Sequence, residues 1–161
     1  MSAYQWVLFL HLLSAVLLAS GALAYHLLHF AVLRRERPSE VAELFGAARI
    51  VGLGLQVGAM GTIVFGIWLA YIGEPDYGLG QGWIIAALVL WVIANILGAV
   101  GGKIYERAQK LAAQLAASGD APSAELTALV RSPRAAVLTW GSTLTIVAIL
   151  ALMVFKPGGS F

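Results

Sequence analysis

Residues 6–30, WVLFLHLLSAVLLASGALAYHLLHF, form a run of 25 residues without a single Lys, Arg, Asp or Glu. A bilayer core needs about 20 apolar residues in helix, and a backbone inside it must satisfy its own hydrogen bonds. The run is therefore a membrane-spanning helix. It also holds all three histidines of the chain, His11, His26 and His29. Imidazoles inside a span are costly unless they face a partner, so each is a candidate functional group.

The remainder extends this reading. Of 161 residues, 60% are hydrophobic and 11% charged, against about 25% charged in soluble domains. The expected fold is all-α: a polytopic four-transmembrane-helix bundle forming a single membrane domain over 1–161. The first helix covers about residues 4–33, retained rather than cleaved because no positive charge precedes it. Ser39, followed by Glu40 and Glu43, looks like the cap of a second helix over about 40–72. A turn-rich loop, Gly73-Glu74-Pro75-Asp76-Tyr77-Gly78, leads to a third helix, 83–117, whose end is an amphipathic extension beyond the membrane. A short surface helix at 123–130 precedes Ser132-Pro133, an N-cap with proline at the first helical position, and a fourth span over 134–155. No polar stretch is long enough to bury a core of its own, the longest being residues 103–134.

Nine of the ten basic residues, Arg34, Arg35, Arg37, Arg49, Lys103, Arg107, Lys110, Arg131 and Arg134, lie in or beside the first and third loops, leaving Lys156 alone at the other end. The positive-inside rule predicts an inner-membrane protein whose basic loops face the cytoplasm and whose termini lie outside. Tyr4, Trp6, Trp68, Tyr71, Tyr77 and Trp83 gather at the expected outer boundary as an aromatic belt. The bilayer is the obvious partner. A homo-oligomer or a larger membrane complex is open, and nothing suggests nucleic acid.

At about 100° per residue, His11 and His29 project in nearly the same direction, with His26 about 60° away. That face should look into the bundle. Near the depth of His11 lie residues 64–68, 88–91 and 149–153; near His26 and His29 lie Arg49, Lys103, Tyr105 and Trp140. Gln56 and Asn95 are expected to hydrogen-bond between helices near the midplane.

The second helix carries GLGLQVGAMGTIVFG, with Gly54, Gly58 and Gly61 spaced to share a face, and Gly98 and Gly102 form a second small pair. Such a stripe admits either another helix or a flat ligand close to the backbone. His11 is thus a candidate axial ligand of haem b lying against Gly54, Gly58 and Gly61, with Met60 nearby; the alternative is a helix–helix hydrogen bond. His26 and His29, one turn apart, together with His11, are candidate ligands for copper or another metal, although a third donor for the pair is missing from the sequence pattern. Without cysteine there are no thiolate sites. No phosphate loop, Ser/His/Asp arrangement or paired intramembrane carboxylates appears, which excludes ATPase and triad-hydrolase chemistry. Whether the chain is an enzyme is left open.

Trp6 and His11 opening helix one, the basic exit after it, the glycine-rich second helix, Gly82-Trp83 opening the third, and the closing Met153-Val154-Phe155-Lys156-Pro157 together resemble the predicted integral membrane proteins called domain of unknown function 2269. The resemblance covers essentially the whole chain and implies the four-helix fold. A histidine early in helix one is also similar, more distantly, to copper-resistance D-type proteins and to membrane protoporphyrinogen oxidases that carry b-type haem. That second likeness implies His11 as haem ligand. A later-span lysine used by those oxidases has only Lys103 as counterpart, at the far end of its helix. The expected function is a haem b- or metal-associated redox or accessory component; a packing subunit of a larger complex and a small copper or cation transporter are the alternatives.

Overall fold

The computed structural model describes residues 2–73 and 79–157. Most of the 73–78 turn, with Tyr77 of the aromatic belt, lies outside them, as does the end of the chain from Gly158. Five helices follow one another: α1 Ala3–Val32, α2 Pro38–Ile72, α3 Gly82–Ala117, α4 Ala124–Val130 and α5 Pro133–Phe155. No strand occurs among the described residues. Four of the helical segments are long and apolar enough to cross a membrane.

Local chemistry explains the helix ends. Ser2 caps α1 reciprocally with Gln5: its hydroxyl accepts the Gln5 N–H at 3.3 Å, and the Gln5 amide oxygen accepts the Ser2 N–H at 2.9 Å. Ser132 caps α5, accepting the Ala135 N–H at 3.3 Å, with Pro133 as its first residue. The start of α2 departs from expectation. Ser39 is not its cap, because Pro38 already has the helical φ and opens the helix one residue earlier. Arg37 then occupies the cap position and makes no side-chain bond there. Instead, the carboxylate of Asp120 accepts both the Ser39 N–H and the Ser39 hydroxyl, each at 2.7 Å. Asp120 reaches this position because α3 ends in a Schellman turn, in which the Asp120 N–H donates to the Leu115 carbonyl at 3.0 Å. Asp120 itself holds a positive φ of 57°.

The helices form two tight pairs, α1 on α2 and α3 on α5, joined chiefly through α2 and α3, with α4 resting on α3. Glycine makes the α1–α2 seam. A Cβ at Gly58 would stand 2.6 Å from the backbone nitrogen of Leu18, and one at Gly61 would collide with the Ser14 side chain. The α3–α5 seam uses Gly98 and Gly101, where a Cβ would meet Ser142 Oγ at 3.2 Å and Thr139 Oγ1 at 3.0 Å. Gly102 faces open space, so its expected pairing with Gly98 passes to Gly101.

Burial is unevenly distributed. Val32, Val41, Phe45, Ala48, Tyr105, Ala108, Ala112, Leu126, Val130 and Ala135 form one core at the basic end, assembled from all five helices. No single stretch there could bury a core, but helix ends pooled from several segments do. In the membrane-spanning part the buried cluster is smaller: Leu18, Ala22, Ala59, Ala94 and Ile146. Water drives apolar burial at the helix ends, whereas lipid offers no such drive and close backbone packing takes over.

Candidate functional site

Small residues close the two pairs on each other in mid-bundle. Beyond them, toward the end where the described chain begins and finishes, the pairs part around a cavity of about 330 Å³. Leu18 and Ile146 of the mid-bundle cluster also line it, and Tyr4, Trp83 and Lys156 lie toward its other end. Its volume lies within the range of ligand pockets.

His11 lines this cavity, as do Gly66, Ile67, Leu88, Trp91, Ile149, Leu150 and Met153 from the depths expected of the other three spans. The imidazole Nδ1 lies 3.1 Å from the Thr62 carbonyl oxygen of α2. A carbonyl cannot donate, so Nδ1 carries the proton and Nε2 the lone pair. Among the described residues nothing hydrogen-bonds Nε2, and no buried side-chain nitrogen or oxygen lacks a partner. Nε2 is therefore accessible, and the cavity is what the ring borders. An imidazole with Nδ1–H anchored on a carbonyl and Nε2 available is the arrangement in which histidine binds metals.

Two residues not singled out from the sequence make this possible. Thr62 supplies the acceptor, and Gly66 supplies the space: a Cβ there would lie 3.1 Å from His11 Cε1. Gly66 is the last glycine of the same run that yielded Gly54, Gly58 and Gly61, which was its available signal. Trp91 braces the site by donating its indole N–H to the Ala59 carbonyl at 3.1 Å, and the Thr62 hydroxyl donates to that same carbonyl at 2.8 Å.

The glycines expected to face a flat ligand lie elsewhere. Gly58 and Gly61 press against α1, and a Cβ at Gly54 would touch Leu17 at 3.8 Å. None of the three lines the cavity. Met60 is 57% exposed on the outer surface and does not line the cavity, whereas Met153 does.

His26 and His29 face different neighbours from His11 and from each other. His26 is buried, stacked on Trp140 with ring centroids 4.1 Å apart, and its Nε2 lies 2.8 Å from Thr143 Oγ1. The Thr143 hydroxyl donates its one proton to the Thr139 carbonyl at 3.2 Å, so Nε2–H is the donor to Thr143. That nitrogen has no lone pair to offer a metal. His29 sits 4.9 Å from the Tyr105 ring beside a crevice of about 10 Å³, room for about one water molecule. Among the described residues no three His, Cys, Asp or Glu groups come together as a metal site. Tyr105 and Trp140 are therefore neighbours as depth predicts, while Arg49 and Lys103 are exposed. Gln56 and Asn95 do not bridge helices: Gln56 is exposed, and the Asn95 amide donates to Trp91 of its own helix at 2.8 Å.

Lys156 is the sole formally charged residue among the described residues lining the cavity. Its ammonium lies 6.0 Å from the centroid of the buried Trp83 ring.

No curated protein and no solved structure matches the chain, so the distant likeness to copper-resistance and haem-binding proteins finds no counterpart there. Four apolar helices and a match over residues 5–157 to the family described as predicted integral membrane protein (DUF2269) agree, and the chain belongs to that family.

Proposed function

We propose that this membrane protein is a haem b-associated redox or accessory component, with His11 as an axial ligand through Nε2. The carrying observation is the His11 imidazole at the wall of an apolar cavity, its Nδ1–H committed to the Thr62 carbonyl. The residues present suit the group: one oriented imidazole, apolar and aromatic walls, a thioether at Met153 and a single cation at Lys156. Bound there, haem supplies one-electron chemistry. The chain's own part is to hold the imidazole tautomer through Thr62, to leave room for the ring at Gly66, and to keep water out with Trp91, Ile146 and Leu150. By the positive-inside rule, the concentration of basic residues at the opposite end supports a site in the outer half of a bacterial inner membrane.

The test is a reduced-minus-oxidised visible spectrum of detergent-purified protein expressed with ample haem. Wild type should show a Soret band that moves on reduction, His11→Ala should lose it, and Met60→Ala should keep it. A colourless wild type, or a band that His11→Ala leaves intact, overturns the reading.

A further inference from the structure

We infer that the outer edge of the α2–α3 seam, marked by Gln56 and Asn95, is where a second copy of this chain packs, carboxamide against carboxamide; the inference is independent of any cofactor. Across that seam the Trp91 indole N–H donates to the Ala59 carbonyl, and nearer the basic end the rings of Phe45 and Tyr105 meet at 6.4 Å. The two helices therefore run in opposite directions. Gln56 lies one turn before Ala59 on α2, and Asn95 one turn after Trp91 on α3. Both steps lead toward the basic end, so the two amides sit at one depth beside the same seam. Gln56 is seven residues from Arg49 and Asn95 eight from Lys103, about 10–12 Å of helix. That depth is inside the hydrocarbon of a bilayer core about 30 Å thick.

Both side chains are exposed there. Among the described residues nothing hydrogen-bonds the Gln56 amide, and Asn95 commits only one N–H, to the Trp91 carbonyl, leaving its own oxygen without a donor. Acyl chains offer no hydrogen bond, so an amide facing them is costly. The chain's internal seams show what completes such a face. Gly61 packs on Ser14, Gly98 on Ser142 and Gly101 on Thr139, each time a small residue against a short polar side chain of the next helix. On α3, Asn95, Ala99 and Gly102 recur at i, i+4 and i+7 and so share one face, where Gly102 meets nothing within 4 Å. Small residues there let another helix come close, and the two amides call for one that carries polar groups. A second copy supplies them. A carboxamide is both donor and acceptor, and a two-fold axis repeats every pair it makes.

The chain has no cysteine, so one introduced thiol reports alone. The full-length Ala99→Cys protein is reconstituted in phosphatidylcholine vesicles over a range of protein-to-lipid ratios and oxidised with copper phenanthroline. Leu144→Cys, on the exposed side of α5, is the control. Ala99→Cys should form disulfide-linked pairs of chains at a protein density that leaves Leu144→Cys single. Adding Gln56→Leu should raise the density needed for half cross-linking about tenfold, the scale of two interhelical hydrogen bonds. Val92→Cys, two turns before Ala99 on the same face, should behave as Ala99→Cys does and replaces it if that variant does not fold. Thermal unfolding before oxidation checks that Gln56→Leu leaves the fold intact. Equal cross-linking of Ala99→Cys and Leu144→Cys, or no effect of Gln56→Leu, overturns the inference. Single chains at every density overturn it too, and mean that this face meets lipid or a different protein.

Discussion

Replacing Gly58 by alanine tests the packing that positions the site. The added carbon would lie 2.6 Å from Leu18 N and 3.0 Å from both Leu18 Cα and Ser14 O. Ordinary contact for such atoms is about 3.5–4.0 Å. All three atoms are backbone, so no rotamer change relieves the clash, and α1 must move away from α2 by roughly 1 Å. Overpacking of this kind costs about 1–3 kcal/mol, and lipid gives the parted helices no drive to reclose. The same substitution at Gly52 meets nothing within 4 Å. There it should be neutral or stabilising by up to ~1 kcal/mol, because alanine is the better helix former. Gly54, with only Leu17 Cδ1 at 3.8 Å, should behave similarly. The propensity gain is common to both positions, so reversible unfolding in mixed detergent micelles should separate Gly58→Ala from Gly52→Ala by about 1–3 kcal/mol. A parting of that size would also stretch the 3.1 Å His11–Thr62 bond beyond hydrogen-bonding range, so Gly58→Ala should weaken any His11-dependent cofactor signal. Equal stability of the two variants would refute the reasoning, since it would mean that the α1–α2 seam is not set by backbone contact.

Thr143→Val removes the acceptor of His26 Nε2–H at nearly constant shape. It should destabilise by about 0.6–1.7 kcal/mol, the scale of interhelical hydrogen bonds in membranes, with Thr143→Ser close to wild type; a valine variant as stable as wild type would show that the bond contributes nothing. At the basic end, the Ser39 hydroxyl and N–H, aided by Arg37, hold the Asp120 carboxyl below its usual range. Its stabilising contribution is thus present above the unfolded value of about 3.9 and is lost as pH falls through the lower folded value. Unfolding measured against pH should show Asp120→Asn weaker than wild type at neutrality, with the gap closing in strong acid; a gap unchanged at low pH would rule out the carboxylate as its source.

Hydropathy is a property of each segment alone, and for that reason the four spans and their order were legible from residue type. The depth of His11 followed from counting residues along a helix, and each of the stretches expected at that depth, 64–68, 88–91 and 149–153, contributes residues to the cavity that His11 lines. Rotation and separation of helices are not segment properties. Only the packed structure decided that Gly58 and Gly61 meet α1 rather than the cavity, and that Met60 turns outward while Met153 turns in. Three histidines shared one helix face in sequence, yet each met a different neighbour. His11 met a carbonyl and keeps Nε2 available; His26 met a hydroxyl and a stacked Trp140; His29 met Tyr105. The cap of α2 comes from Asp120, 81 residues beyond Ser39, a distance no local pattern spans. Residue chemistry along the chain determined what enters the membrane and which groups are expensive there. The packing of one helix on another decided which nitrogen of each imidazole is engaged and which is left over, because a tautomer is set by the partner across the interface.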